Sequence, residues 1–399
     1  MSFYVTRCYS SFVAITVCTM LLLTGGCAKI PERHPLPLEM SSKASVGDIP
    51  EARFWGDEWP KYSVEIFETY TETDFQQHFA GVYKQPHNYL AISGGGANGA
   101  FGAGLLAGWA AYGTRPKFTM VTGVSTGALT APFAFLGAEY DETLKKLYTT
   151  ITTKDIVEKR NVLSAAFGDS VADSAPLKRL LAQYITPELV EAIGREHQRG
   201  RRLFIGTLNL DAARSVIWNI GAIALSDFPG KMDLIHNLLL ASASIPVAFP
   251  PVVINVSADG KIYDEIHVDG GTGSQVFVYP AAMDWREITQ KLKVKDKPQV
   301  YVLRNSFIGS GYDQVERTVL PIASRAIDSL IRTQGIGDLY QILALCKRDG
   351  NEFNLAYIPS SFIEKPNEAF DKIYMSKLYQ LGYEMGSKGY DWKKKPPGF

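Results

Sequence analysis

Two periods of apolar and polar positions alternate along the chain. Short apolar runs stopped by glycine or polar residues predict buried strands at 88–93, 118–122, 202–207 and 215–220, with further strands at 266–268, 299–304 and 353–358. Between them, longer stretches predict helices at 100–112, 128–136 and 231–243, and Pro187 after Thr186 marks the start of another that runs to Gly200. This alternation implies an α/β fold, a mostly parallel sheet with helices on its faces. The signals continue past residue 290, so one domain is drawn over 88–392, with 393–399 as a tail.

Ahead of that domain, residues 27–87 read as a tether and an arm. Pro31, Pro35, Pro37 and Pro50 forbid a continuous helix through its first half, and the cluster Phe54, Trp55, Trp59, Tyr62, Phe67 and Tyr70 is expected to cover the domain surface. Residues 1–26 read as an export signal: Arg7, an apolar run over 12–23 too short to span a bilayer comfortably, then Thr24-Gly25-Gly26-Cys27. Small residues before a cysteine resemble a bacterial lipobox, in which Cys27 is lipidated and becomes the mature N-terminus. An ordinary signal peptide cut near Gly26, or an uncleaved anchor, would leave Cys27 without that role. Cys8 and Cys18 fall in the signal, so lipidation of Cys27 leaves Cys346 as the one thiol, and the chain needs no disulfide in an oxidising compartment. The expected location is a bacterial cell envelope with a lipid anchor at the membrane, and Ala28 favours the outer membrane if the host is Gram-negative.

Composition narrows the function. Hydrophobic residues make up 46% of the 399-residue chain, enough for a large core, and Lys plus Arg equals Asp plus Glu at 41 each. A net charge of zero supplies no global field to recruit nucleic acid, so any membrane attachment is local. No Cys/His cluster or calcium loop is present, and neither a metal nor a cofactor is expected. Cys346, in an apolar run, reads as a core residue, and Arg199-Gly200-Arg201-Arg202 as solvated charge at a helix end.

The chemistry is concentrated in glycine-rich blocks. Gly123-Val124-Ser125-Thr126-Gly127 follows an apolar strand and precedes helix-forming residues, the setting of a nucleophile elbow in which Gly123 and Gly127 let backbones pass closely. Upstream, Gly94, Gly95 and Gly96 expose backbone donors after a strand, as an oxyanion hole requires. Gly94, Gly96 and Gly99 also fit the dinucleotide-binding spacing, but that fold wants an acid about 20 positions on, and none occurs between Asp74 and Glu139. Ser125 needs a base. Of six histidines the last is His267, which nothing in the sequence brings to Ser125. Asp269-Gly270-Gly271 presents a carboxylate where a strand ends, although in isolation these residues also read as a plain turn.

Taken in order with these separations, the three blocks resemble the signatures of patatin-like phospholipases, and Ala241-Ser242-Ala243-Ser244-Ile245-Pro246 with Phe249-Pro250-Pro251 is similar to that family's helix-end segment. The resemblance implies a three-layer sandwich around a mostly parallel sheet. It also implies a lipid acyl-ester substrate, a Ser125–Asp269 dyad without histidine, and an oxyanion hole made by the N–H groups of Gly94, Gly95 and Gly96. The family usually carries Arg or Lys where Asn98 stands. That departure keeps open a lipid-binding envelope scaffold of weak or no activity.

Overall fold

Nine strands build one mixed sheet: β1 (Arg53–Trp55), β2 (Pro86–Ile92), β3 (Met120–Val124), β4 (Arg202–Asn209), β5 (Arg214–Asn219), β6 (Val252–Ala258), β7 (Lys261–Asp269), β8 (Lys295–Arg304) and β9 (Glu352–Tyr357). The structure, a computed structural model, describes residues 32–159, 169–309, 312 and 314–398. The order across the sheet is β1-β5-β4-β3-β2-β8-β9. From β4 to β9 the neighbours are parallel, while β5 and β1 close the other edge antiparallel. The β6–β7 hairpin attaches to β4 through β7.

Eight helices frame the site: α1 (Gly99–Tyr112), α2 (Thr126–Leu136), α3 (Asp141–Thr149), α4 (Ala175–Tyr184), α5 (Pro187–Gln198), α6 (Lys231–Ser242), α7 (Val319–Asp349) and α8 (Lys372–Ser387). Side chains alternate across each strand, so the parallel strands feed two cores. Leu90, Ile92 and Val121 pack with α1, α2, α5, α6 and α8. Tyr89, Ala91, Val300 and Val302 pack with α7 and with the helices Lys61–Thr69 and Glu72–His78 of the amino-terminal arm. Helices therefore cover both faces, giving three layers. From Leu36 onward the described residues form one compact unit.

Every strand expected from the pattern is present, with ends shifted by at most five residues. The pattern did not give β1, β6, α3, α4, α7 or α8. Segment 393–399, read as a tail, is stitched on at its start, where Lys393 and Leu355 exchange backbone hydrogen bonds of 3.0 and 2.8 Å. Arg201 is buried rather than solvated: it donates to the carbonyls of Phe118 and Phe135 and to Glu196, and its guanidinium lies 4.2 Å from the centre of the Phe135 ring. Cys346, on α7, is buried in the core, and burial pushes its thiol up to about 12. The leader and Cys27 lie outside the described residues. Among the described residues no helix is long and apolar enough to cross a membrane.

Candidate active site

β3 and β7 approach one edge of β4 from opposite directions. Met120–Val124 pair in parallel with Arg202–Gly206, and His267–Asp269 then pair antiparallel with Asn209–Thr207. The carboxyl ends of β3 and β7 thus meet head to head at Gly206 and Thr207, and this brings Ser125 to Asp269 from 144 positions away.

At Ser125 the backbone takes φ 56° and ψ −127°, a conformation that L-residues avoid and that persists only where the surroundings enforce it. The enforcement is steric. A Cβ on Gly123 would lie 2.4 Å from the Gly127 carbonyl oxygen, and one on Gly127 would lie 2.2 Å from that of Ile92. Helix α2 starts at the next residue, so its positive end is set at Ser125.

Asp269 is 2% exposed. Its N–H donates to the Ser244 carbonyl at 2.8 Å, and its Oδ1 accepts from the Gly271 N–H at 2.7 Å. Oδ2 is buried with no hydrogen-bond partner. Burial raises the carboxyl to about 7, against lowering by the Ser125 hydroxyl and the Gly271 N–H. The Ser125 hydroxyl is therefore near enough to act on the carboxylate, yet the contact stops short of hydrogen-bond geometry. Such contacts tighten when substrate binds.

His267 is on the same strand but is committed elsewhere. Its Nε2 meets Glu265 at 3.0 Å and its Nδ1 meets the Thr207 hydroxyl at 2.9 Å, while Thr207 accepts from Trp218 Nε1 at 2.8 Å. Burial pushes Glu265 up, but hydrogen bonds from His267 and Arg53 outweigh it and hold the carboxyl near 2. With Glu265 ionised, His267 Nε2 carries the proton and Nδ1 accepts from Thr207. Both ring nitrogens are occupied, and burial keeps the ring neutral. The titratable side chain that Ser125 acts on is therefore the Asp269 carboxyl.

In the glycine loop, Gly94 donates its N–H to the Gln275 carbonyl at 3.1 Å, so this expected oxyanion donor is already engaged. Gly95 and Gly96 (φ 158° and 55°) have no hydrogen-bond acceptor for their N–H groups among the described residues. Asn98, half-buried, accepts from the Tyr374 hydroxyl of α8 at 2.6 Å, a neutral contact in place of a cation.

Two positioning residues were not foreseen. Ser242, at the end of α6, accepts the Ser125 N–H at 3.0 Å and donates to the Gly206 carbonyl at 2.7 Å. Gln275 has its side-chain amide between Ser125 and Asp269: a Cβ on Gly271 would lie 2.0 Å from its Nε2 and 2.9 Å from Asp269 Oδ1, and one on Gly94 would lie 2.8 Å from its Oε1 and 3.1 Å from Ser125 Cβ. The block 241–246, quoted only as a resemblance, thus supplies the side chain that anchors Ser125 and the carbonyl that anchors Asp269.

An apolar cleft is lined by Thr126, the residue after Ser125, and is walled by Leu129 and Phe133 of α2, Leu147 of α3, Leu181 of α4 and Met375 of α8. Another cavity lies between the arm and the sheet and includes none of Ser125, Asp269 or the glycine-loop residues. Among the described residues no group of three His, Cys, Asp or Glu side chains converges as metal ligands would.

Residues 90–282 match the model of the patatin-like phospholipase family. The chain carries a patatin-like phospholipase domain. The family is one of lipid acyl hydrolases. Ser125, Asp269 and the glycine loop fall inside the matched span, while α7 and α8 lie beyond it. Among solved structures the chain is similar to VipD from Legionella pneumophila, with 12% identity, a TM-score of 0.38, and coverage of 76% of this chain and 67% of that one. No curated protein matches the chain.

Proposed function

We propose that the patatin-like domain hydrolyses carboxylic esters of membrane lipids through a Ser125–Asp269 dyad. Ser125 Oγ attacks the ester carbonyl carbon while its proton passes to Asp269 Oδ2. The oxygen of the tetrahedral intermediate takes hydrogen bonds from the Gly95 and Gly96 N–H groups. As the carbon–oxygen bond to the leaving alcohol breaks, Asp269 returns the proton to that oxygen, leaving acyl-Ser125. A water, deprotonated by Asp269, then attacks the acyl carbon, and as the bond to Ser125 Oγ breaks Asp269 returns the proton to that oxygen, releasing the carboxylic acid.

The observation that carries this reading is the asymmetry of Asp269: Oδ1 is fixed by Gly271, and Oδ2 is open beside a serine held in a strained elbow. A carboxyl raised to about 7 suits both halves of the proton shuttle at neutral pH. The apolar cleft at Thr126 supports an acyl chain as the substrate's tail. The Thr24-Gly25-Gly26-Cys27 motif supports lipid attachment at Cys27 and a site in the cell envelope, where anchoring would hold the enzyme beside its substrate.

Hydrolysis of medium- and long-chain acyl esters by the chain lacking residues 1–27 tests the proposal, alongside Ser125→Ala and Asp269→Asn. Activity in the parent and a loss of about 10³-fold or more in each variant is expected. Folded proteins that cleave no ester would favour a lipid-binding scaffold instead.

A further inference from the structure

Arg304 ends β8 and is 2% exposed, yet its Nε and Nη1 have no hydrogen-bond partner. Its remaining contact is a long one, Nη2 to the Arg332 carbonyl at 3.4 Å. Asp338 is the acid that acts on it, but both Asp338 oxygens are taken: Oδ2 accepts the N–H groups of Gln275 and Val276 at 2.7 and 3.2 Å, and Oδ1 accepts Gln334 Nε2 at 3.0 Å. Burial lowers the guanidinium to about 10, so it is charged at neutral pH without a bonded counter-ion. Buried charge in that state is costly, and arginine is the side chain whose fork fits a phosphate or carboxylate.

Its position relates it to the dyad. Leu303 pairs with Ile92, which sets Arg304 level with Ser93 at the carboxyl edge of the sheet, where the glycine loop begins. The next residue, Asn305, donates to the Ser93 hydroxyl and carbonyl at 2.9 and 3.1 Å. A Cβ on Gly335 of α7 would lie 2.7 Å from Arg304 Nη1 and 3.1 Å from Gln275 Cβ. The guanidinium is thus one glutamine side chain away from Ser125 and Asp269. Asn98 leaves the α8 side of the loop neutral, so the cation near this site stands on the α7 side.

We infer that Arg304 binds the phosphate of the substrate's headgroup while the scissile ester lies at Ser125, making the enzyme selective for phospholipid over neutral ester. This rests on the hydrolase reading above. The phosphate reaches Nε and Nη1 as the amino half of α7 shifts off the guanidinium. That half is held loosely: Val319, Ile322 and Leu330 are exposed, and Gly335 and Gly337 weaken the helix where it meets the core.

The test compares parent, Arg304→Met and Arg304→Lys on dioleoyl phosphatidylcholine in detergent micelles and on 4-nitrophenyl decanoate, with thermal unfolding of each protein. In Arg304→Met, kcat/KM for the phospholipid should fall about 10- to 100-fold further than for the neutral ester, as loss of a charge-assisted hydrogen bond predicts. Arg304→Lys should recover part of the difference, and the midpoint of unfolding should not fall, because an unpaired buried charge has been removed. Inorganic phosphate should inhibit phospholipid turnover by the parent more than by Arg304→Met. Equal loss on both substrates with a lowered midpoint would make Arg304 structural and overturn the inference. Phosphate inhibition without loss of phospholipid preference would assign the site to the free anion and overturn the headgroup. A parent that cleaves the neutral ester but no phospholipid would sink this inference alone, and one that cleaves neither would sink the hydrolase reading with it.

Discussion

Asp269 is a buried carboxyl, and its charge sets a pH signature. Its carboxyl rises from 3.8 to about 7 on folding, so the native state holds the proton more tightly than the unfolded chain. Stability from this group therefore falls as pH rises from about 4 to about 7 and is level above, a cost on the order of 4 kcal/mol. Asp269→Asn keeps an oxygen for the Gly271 N–H and removes the charge. It should be more stable than the parent by a few kcal/mol at pH 8 and by little at pH 4, as read from denaturant midpoints. Equal midpoints at pH 8 would show that the carboxyl is not raised. The same group should give kcat/KM a rising limb near pH 7. The local shapes at Ser125 and Asp269 were legible, because an elbow and an Asp-Gly-Gly turn are built from neighbours in sequence. The direction of the two Asp269 oxygens was not, because Ser244 and the fold around it decide that.

Between elements, the site is held by bonds that no local pattern announces. Ser242 reaches Ser125 across 117 positions, joining the end of α6 to the elbow and to β4. Ser242→Ala leaves the Ser125 N–H without its acceptor and the Gly206 carbonyl without its side-chain donor. It should lower kcat about tenfold or more and stability by about 1–3 kcal/mol, and an unchanged kcat would remove Ser242 from the positioning role. Arg53 of β1 pairs with Glu265 of β7, both nearly fully buried, and ties the arm to the strand that carries Asp269. Arg53→Ala should cost about 3–5 kcal/mol, because Glu265 is left as an uncompensated buried charge. A denaturant midpoint within error of the parent would contradict this. Hairpin β6–β7 escaped the reading although Asp259-Gly260, at φ 48° and 75°, forms the tight turn such dipeptides favour. The alternation on both sides of that turn was the available signal. Helix α7 offered less, since its amino half is exposed around most of its circumference and shows no apolar stripe.

For the molecule as a whole, the sheet edge gathers the glycine loop, elbow and carboxylate, and the helices beside α2 add an apolar cleft. If acyl chains occupy that cleft, Leu181→Trp should shorten the preferred chain, lowering kcat/KM for long relative to short acyl esters by about tenfold or more. A chain-length profile identical to the parent's would place the acyl chain elsewhere. Strand alternation made the three layers legible, whereas the joining of the arm to the sheet through β1 depends on partners more than 150 positions away. The central claim is that Ser125 is the nucleophile and Asp269 its base, and the most direct measurement is the mass of the protein after reaction with a long-chain fluorophosphonate. The account predicts one phosphonyl group per chain, mapped to the peptide containing Ser125, added at a rate that rises through about pH 7 and is greatly slowed in Asp269→Asn. Labelling at another serine, or labelling of Asp269→Asn at the parent's rate, would contradict it.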